Sequence, residues 1–453
     1  MTRTALRHAI VPVYLLACLL LGGASAAGFI ANLSLQLAAL PLIAWSLWQL
    51  INTGFAPQVR SALILLALLV AIALLQLVPL PPAIWTHLPG RTPVIEGYRL
   101  LGTPLPWLPL TLAPEATLAS LLWLLPAIAT FLGIVALGAF RPRSIAGVIV
   151  AVTLISVLIG TIQVIGGADS AYFYEITNYG SAVGFFANSN HSATLLLVCI
   201  PFLAALQSAV LRRRGSPRTA SAVRLLVGAI YAVIVVGLLM NGSQAGLGLL
   251  LPVALGTWLT FGRPRRALRR ALAIFTVAAT AAVILLVVIG PFGNNLFGEQ
   301  TDHVEISRQT SFALTFRAAR DYLPIGSGLG SFQPVYHTQE PLASVTSTYM
   351  NHAHNDWLEL LLETGVPGIA LAALVLFWGA RRARTIWRAE DRDQFAQAAV
   401  IAATAILLHS LVDYPLRTAA LSAVFAACIA LIAGARPHVR QRDKPSSAKH
   451  LNL

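Results

Sequence analysis

Apolar residues in this chain gather into runs of about 17–25, separated by polar segments that are short and rich in arginine. A run of that length crosses the hydrocarbon core of a bilayer as a helix. Twelve such stretches stand out, at roughly 9–27, 29–51, 61–80, 116–138, 144–166, 190–211, 222–241, 244–262, 270–290, 357–380, 394–412 and 418–435. Long polar intervals interrupt them at about 81–115 and 291–356, with a shorter one at 167–189. The pattern predicts an all-α, polytopic membrane protein of about 12 transmembrane helices, with a large external loop between spans nine and ten. Residues 1–435 read as one membrane domain. Residues 436–453, polar and basic, read as a disordered tail.

Charge then orients the chain. With the N-terminus inside, 25 of the 31 Lys and Arg residues fall on the cytoplasmic side. The six exceptions are Arg91, Arg99, Arg308, Arg317, Arg320 and Arg417. That asymmetry is what the positive-inside rule requires and places both termini in the cytoplasm. The formal net charge of +14 is therefore topological and calls for no nucleic-acid partner. Arg3, Arg7, the first apolar run and Ala24-Ser25-Ala26 also resemble a cleavable signal peptide. An uncleaved first helix accords better with eleven further spans.

Composition agrees with the pattern. Hydrophobic residues make up 57% and charged residues 11%, with a mean hydropathy of +0.75. A soluble domain carries about 25% charged residues. Cys18, Cys199 and Cys428 all lie inside apolar runs, so neither a disulfide framework nor a CxxC site is legible. No GxxxxGK[ST] loop, HExxH or Cys/His cluster occurs, and Gly326-Ser327-Gly328-Leu329-Gly330 lacks the spacing of a dinucleotide fingerprint. The motifs thus point to no metal and no cofactor, and chemistry falls to arginine, histidine and backbone groups.

The interval 291–356 holds three of the six external arginines together with His303, His337, His352 and His354. External arginine is a candidate for binding an anion. For Arg317 and Arg320 the alternative is contact with lipid headgroups from an interfacial amphipathic helix. On one helix over 306–322 those two share a face, and Arg308, nine residues earlier, sits about 180° around from Arg317. In Asn351-His352-Ala353-His354-Asn355-Asp356-Trp357-Leu358-Glu359, Asp356 and Glu359 have capping-box spacing, which starts a helix there with Asp356 as N-cap. His354 then sits at the positive end of a helix dipole, which favours a neutral imidazole suited to act as a base. Binding to backbone carbonyls at the interface is the alternative for both histidines. A second polar spot, His409 to Arg417, contains Asp413 and Arg417 four apart, placed either to pair or to face a cavity. Asn241-Gly242-Ser243-Gln244 and Phe186-Ala187-Asn188-Ser189-Asn190-His191 read as helix caps or binding groups.

At these residues the chain resembles the O-antigen ligase and polymerase superfamily of bacterial membrane glycosyltransferases. Gly184 to His191 is similar to the glycine/asparagine segment of that family, and Asn241 to Gly246 to its Ser-Arg-Gly/Ala turn. Arg308, followed by Pro324-Ile325-Gly326-Ser327-Gly328-Leu329-Gly330-Ser331-Phe332, resembles the family's large periplasmic loop. His352 to Glu359, with Glu363-Thr364-Gly365-Val366-Pro367-Gly368, resembles its most diagnostic signature. The resemblance implies transfer of a glycan from undecaprenyl diphosphate to an acceptor hydroxyl, without metal or nucleotide and with inversion, in the inner membrane of a bacterium. It implies His354 as the base and Arg308 as the group that binds the diphosphate. Arg317, Arg320, Gln244, Asn188, Asn190, His352, Asn355 and Arg417 complete the substrate-binding set, with membrane lipids as surroundings. Gln244 departs from the family, which carries an arginine there, so Arg317, Arg320 or Arg417 must supply the missing cation or activity is altered. A ligase acting on lipid A core in lipopolysaccharide biosynthesis, and a polymerase acting on a growing surface polysaccharide or exopolysaccharide, are both compatible with these residues, as is transfer to a protein hydroxyl. From other classes, a transporter or flippase of the lipid-linked sugar and a membrane scaffold compete. Against the transporter, polar groups gather at external helix ends rather than near the midplane.

Overall fold

The computed structural model describes residues 3–25, 29–212, 216–262, 265–289, 308–342 and 350–435. His303 and the tail 436–453 lie outside the described residues. The helices, in chain order, begin with α1 (Arg3–Leu21), α2 (Ile30–Thr53), α3 (Arg60–Leu75), α4 (Pro82–Trp85) and α5 (Thr92–Leu101). They continue with α6 (Pro114–Val135), α7 (Pro142–Gly166), α8 (Ser189–Leu211), α9 (Pro217–Asn241), α10 (Gln244–Phe261) and α11 (Arg266–Ile289). The last five are α12 (Arg308–Tyr322), α13 (Phe332–Gln339), α14 (Asp356–Arg388), α15 (Gln394–His409) and α16 (Ala419–Gly434).

Each of the twelve apolar stretches coincides with a helix, but they are not equivalent. Among the described residues, α2, α3 together with the 3-10 turn before it (Pro57–Leu75), α6, α7, α8, α9, α10 and α14 are long and apolar enough to cross a membrane, which makes eight. The other four, in α1, α11, α15 and α16, are shorter apolar runs. α15 and α16 have 16 residues each, about 24 Å of helix against a hydrocarbon core of about 30 Å. Both end at the polar turn 410–418, which carries Asp413, Pro415 and Arg417. Uniform apolar stretches conceal this, because hydropathy does not register where a turn dips toward the bilayer.

α8, α15 and α16 form the closely packed centre, with Ala, Leu and small residues at full burial along most of their length. Without water to drive helix association, close approach of small residues does it. A Cβ on Gly246 would stand 2.7 Å from that of Ala193, so α10 meets α8 only as glycine. α2 and α9 present exposed Leu33, Leu37, Leu225 and Leu239, the surface a bilayer solvates.

The interval 81–115 is more structured than its polarity suggested. It holds α4, α5 and a two-residue antiparallel pairing of Pro79-Leu80 with Leu108-Pro109. A second, smaller core of Leu314, Ala318, Phe332, Tyr336, Ala353 and Leu362 fastens α12 and α13 to the first turns of α14.

α14 is broken at Gly365 (φ +57°), two residues before Pro367, and the glycine-rich segment repairs the break. Ser327 and Gly328 donate their N–H groups to the carbonyls of Leu362 and Glu363, both at 2.9 Å, and Val366 donates to Pro324 O at 2.8 Å. The Gln76 side chain gives Glu363 O a second donor at 2.9 Å. An interrupted helix is tolerated at membrane depth only where its freed groups are satisfied in this way. Gly328, at φ +110° and against Thr111, has no room for a Cβ. The glycines at 326, 328 and 330 therefore dock a loop against a helix break.

Candidate active site

Four segments distant in sequence converge at one end of the bundle: the start of α8, the α9–α10 turn, residues 350–356 and the turn 410–418. Asn188 caps α8 by accepting from Asn190 N, and its Nδ2 reaches Tyr414 Oη at 3.5 Å. Ser243 caps α10 through Gly246 N and donates its hydroxyl to Asn190 Oδ1 at 2.6 Å. Asn355 caps α14, accepting from Trp357 N and Leu358 N, while its Nδ2 donates to Leu411 O at 2.8 Å. The N-cap is thus Asn355, where the capping-box spacing predicted Asp356. Asp356 N–H is already taken by Ser410 O at 2.9 Å, and the carboxylate of Glu359 turns to other donors.

His354 is the one described non-glycine residue in left-handed backbone, at φ +50°. That conformation costs an L-residue about 1–2 kcal/mol, and such strain persists where neighbours over-determine it. Here Ala353 N–H is held by Glu359 Oε2 at 3.0 Å on one side, and Asn355 and Asp356 are pinned to the 410–413 backbone on the other. The result aims Nδ1 of His354 at Asp413 Oδ1, 3.6 Å away. At that distance Nδ1 faces the buried carboxylate without a hydrogen bond, and Nε2 likewise has no hydrogen-bond partner among the described residues. Catalytic hydrogen bonds in unliganded sites are commonly long and tighten with substrate.

Asp413 is an anion among imidazoles. Burial alone would raise its carboxyl, but the facing His354 ring and the charges of His191, His354 and His409 outweigh burial and hold it well below the usual carboxylate range. His191 Nε2 is 3.9 Å from Asp413 Oδ1. The ring of Tyr414 is the common floor. His352, His354 and His191 stand against it with centroids at 4.5, 4.8 and 4.9 Å. Burial, reinforced by Asp413, pushes the Tyr414 phenol above its ordinary value, so it stays neutral.

Arg417 is the converse, a cation among carboxylates. Its Nε lies 3.5 Å from Asp356 Oδ1, and its two terminal nitrogens lie 3.4 Å from Glu359 Oε1 and 2.9 Å from Glu363 Oε2. The three acids occupy i, i+3 and i+7 of α14, one face of the helix. Burial draws the guanidinium down, but the carboxylates outweigh it and hold it above its ordinary value. Glu363 Oε1 also accepts from Gly330 N at 2.8 Å, which ties the glycine-rich loop to the same network. Of the two readings of Asp413 and Arg417, the mutual pair does not form, because the turn at Pro415 points the two side chains into separate clusters.

His352, His354, Asn355, Asn188 and Asn190 are therefore brought together, with Arg417 beside them. Gln244 is the first residue of α10, exposed next to the Ser243 cap. Arg317 and Arg320 are exposed on α12, opposite its buried Leu314, Thr315 and Ala318, and form no ion pair among the described residues. Arg308 opens α12, three residues before buried Ser311, and its side chain lies outside the described ones. Sequence reasoning missed Tyr414, His191 and the roles of Asp413, Glu359 and Glu363. The 356, 359, 363 spacing of acids on an apolar helix was the available signal, since ionisable groups there face a partner or a cavity.

No curated protein matches the chain as a relative. Residues 227–373, from α9 through the break in α14, match the family model described as O-Antigen ligase, Wzy_C. The matched stretch contains Gln244, Arg308, His352 and His354, whereas His191, Asp413 and Arg417 come from outside it. The chain is a multi-pass membrane protein whose residues 227–373 are a domain of the O-antigen ligase family.

Proposed function

We propose that the protein transfers a glycan from undecaprenyl diphosphate to an acceptor hydroxyl at the periplasmic face of a bacterial inner membrane, with twelve crossings and both termini cytoplasmic. The reading rests on one observation above the others: a strained His354 with a buried carboxylate facing Nδ1 and an Nε2 that no described residue bonds. Nε2 takes the acceptor proton as the oxygen attacks the anomeric carbon. The bond from that carbon to the diphosphate oxygen breaks, the configuration inverts, and the electron pair leaves with the diphosphate. Asp413 stabilises the imidazolium that forms. Negative charge develops on phosphate, where a guanidinium offers a bidentate match. Arg308 takes that role, since Arg417 is committed to carboxylates. Arg317 and Arg320, exposed and without an ion pair among the described residues, receive the remaining anionic charge in place of the arginine that Gln244 replaces.

Ligase-type and polymerase-type members share this chemistry, and the ligase reading leads. In a deletion strain, glycan chains left on the lipid carrier support the ligase. Loss of long chains with a single repeat retained supports the polymerase. Replacing His354 by Ala is the direct test of the chemistry: transfer should stop with the protein still present in the membrane, and unchanged glycan product overturns the assignment.

A further inference from the structure

His352 was grouped with the substrate-binding residues on position alone, yet its surroundings are as specific as those of His354. Glu359, 1% exposed, meets only donors: Ala353 N–H on Oε2 at 3.0 Å, and His352 Nδ1 at 2.9 Å and an Arg417 nitrogen at 3.4 Å on Oε1. A carboxylate so surrounded accepts, so Nδ1 of His352 carries the hydrogen, and with Nδ1 as the ring's N–H, Nε2 presents a lone pair. No described residue bonds that nitrogen, and the side chain is 17% exposed. His352 and His354 lean on the same Tyr414 ring, so two carboxylate-backed imidazoles stand side by side with their Nε2 atoms unpartnered.

We propose that His352 is the acceptor-reading residue of the site, accepting a hydrogen bond at Nε2 from a second hydroxyl of the acceptor glycan, and that Glu359 is its positioning residue. This rests on the transferase reading above and adds a division of labour to it: His354 removes the proton, and His352 selects the polyol that carries it. A group that can only accept distinguishes a hydroxyl from a deoxy or methylated position, because the analogue leaves the buried dyad unpaired.

The test uses the full-length protein in liposomes with native lipid-linked donor, and two acceptor probes in parallel, lipid A core and a purified single-repeat glycan. On whichever probe is used, His352→Ala and His352→Phe should raise the acceptor KM about tenfold, as loss of one hydrogen bond does, with kcat falling less than threefold. His352→Gln, whose amide oxygen accepts, should recover part of that loss. Glu359→Gln, whose amide donates to Nδ1 and reverses the ring's tautomer, should raise KM to a similar degree and add nothing in the His352→Ala background. An unchanged KM in His352→Phe, or additive effects of the two changes, overturns the proposal. Should Glu359→Gln not fold, the three His352 variants decide alone. Transfer that survives His354→Ala in the same assay refutes the transferase chemistry itself, and so is told apart from failure of this inference.

Discussion

Asp413 and Arg417 are four residues apart on one turn and sit in opposite kinds of cluster. Asp413 is an anion faced by His191, His354 and His409, and Arg417 is a cation faced by Asp356, Glu359 and Glu363. The arginine cluster is closed: its carboxylates also accept from Ser410, His352, Ala353 and Gly330. The imidazole cluster is open: among the described residues neither Nδ1 of His354 nor either nitrogen of His191 has a hydrogen-bond partner. The difference separates two uses of buried charge. Mutually satisfied charge braces the break in α14 and the loop that docks on it. Charge faced by imidazoles with unmatched nitrogens is left for a substrate.

The sharpest way to break this contrast is to remove the brace. Arg417→Ala leaves three buried carboxylates facing one another, a loss of about 3–5 kcal/mol for a buried pair. The expected outcome is a sharp fall in folded protein, read as monodisperse yield in detergent, and a normal yield would show that the cluster is not structural. His354→Ala, on the open side, should leave yield intact and lower kcat by about 10²–10⁴-fold, the worth of a positioned base. Asp413→Asn should lower kcat about 10²-fold by misplacing the ring. An unchanged kcat in Asp413→Asn means that Asp413 does not position the base during turnover. The smallest effect is expected at Arg317→Ala with Arg320→Ala, both exposed and without an ion pair among the described residues. Donor KM should rise by less than about tenfold and fall in sensitivity to salt, as surface electrostatics do.

Much of this architecture is written locally. Twelve apolar stretches become helices because the hydrogen bonds of a helix are internal and lipid demands that they be so. The diagnostic His-Ala-His-Asn run starts a helix because its polar residues supply the cap, although the cap moved from Asp356 to Asn355. Spacing alone also put Arg317 and Arg320 on one face of α12. The partnerships were a different matter. Glu359 looked like half of a capping box and instead holds His352 and Arg417, 58 residues further along the chain. The stretch Gly326 to Gly330 lacked the spacing of a dinucleotide fingerprint, and in the fold its Ser327 and Gly328 satisfy the carbonyls of Leu362 and Glu363 beside the break at Gly365.

From the sequence by itself came the membrane as solvent, the helical stretches and the residues with chemistry to offer. Each of these follows from composition and spacing within a few turns of chain. Only the tertiary structure decided which of those residues face one another, that α15 and α16 are shorter than a full span, and that His354 takes a left-handed backbone with Asp413 behind it. Such choices are settled by contacts between segments far apart in the chain, where the energy of pairing a buried charge outweighs any preference carried by its neighbours in sequence.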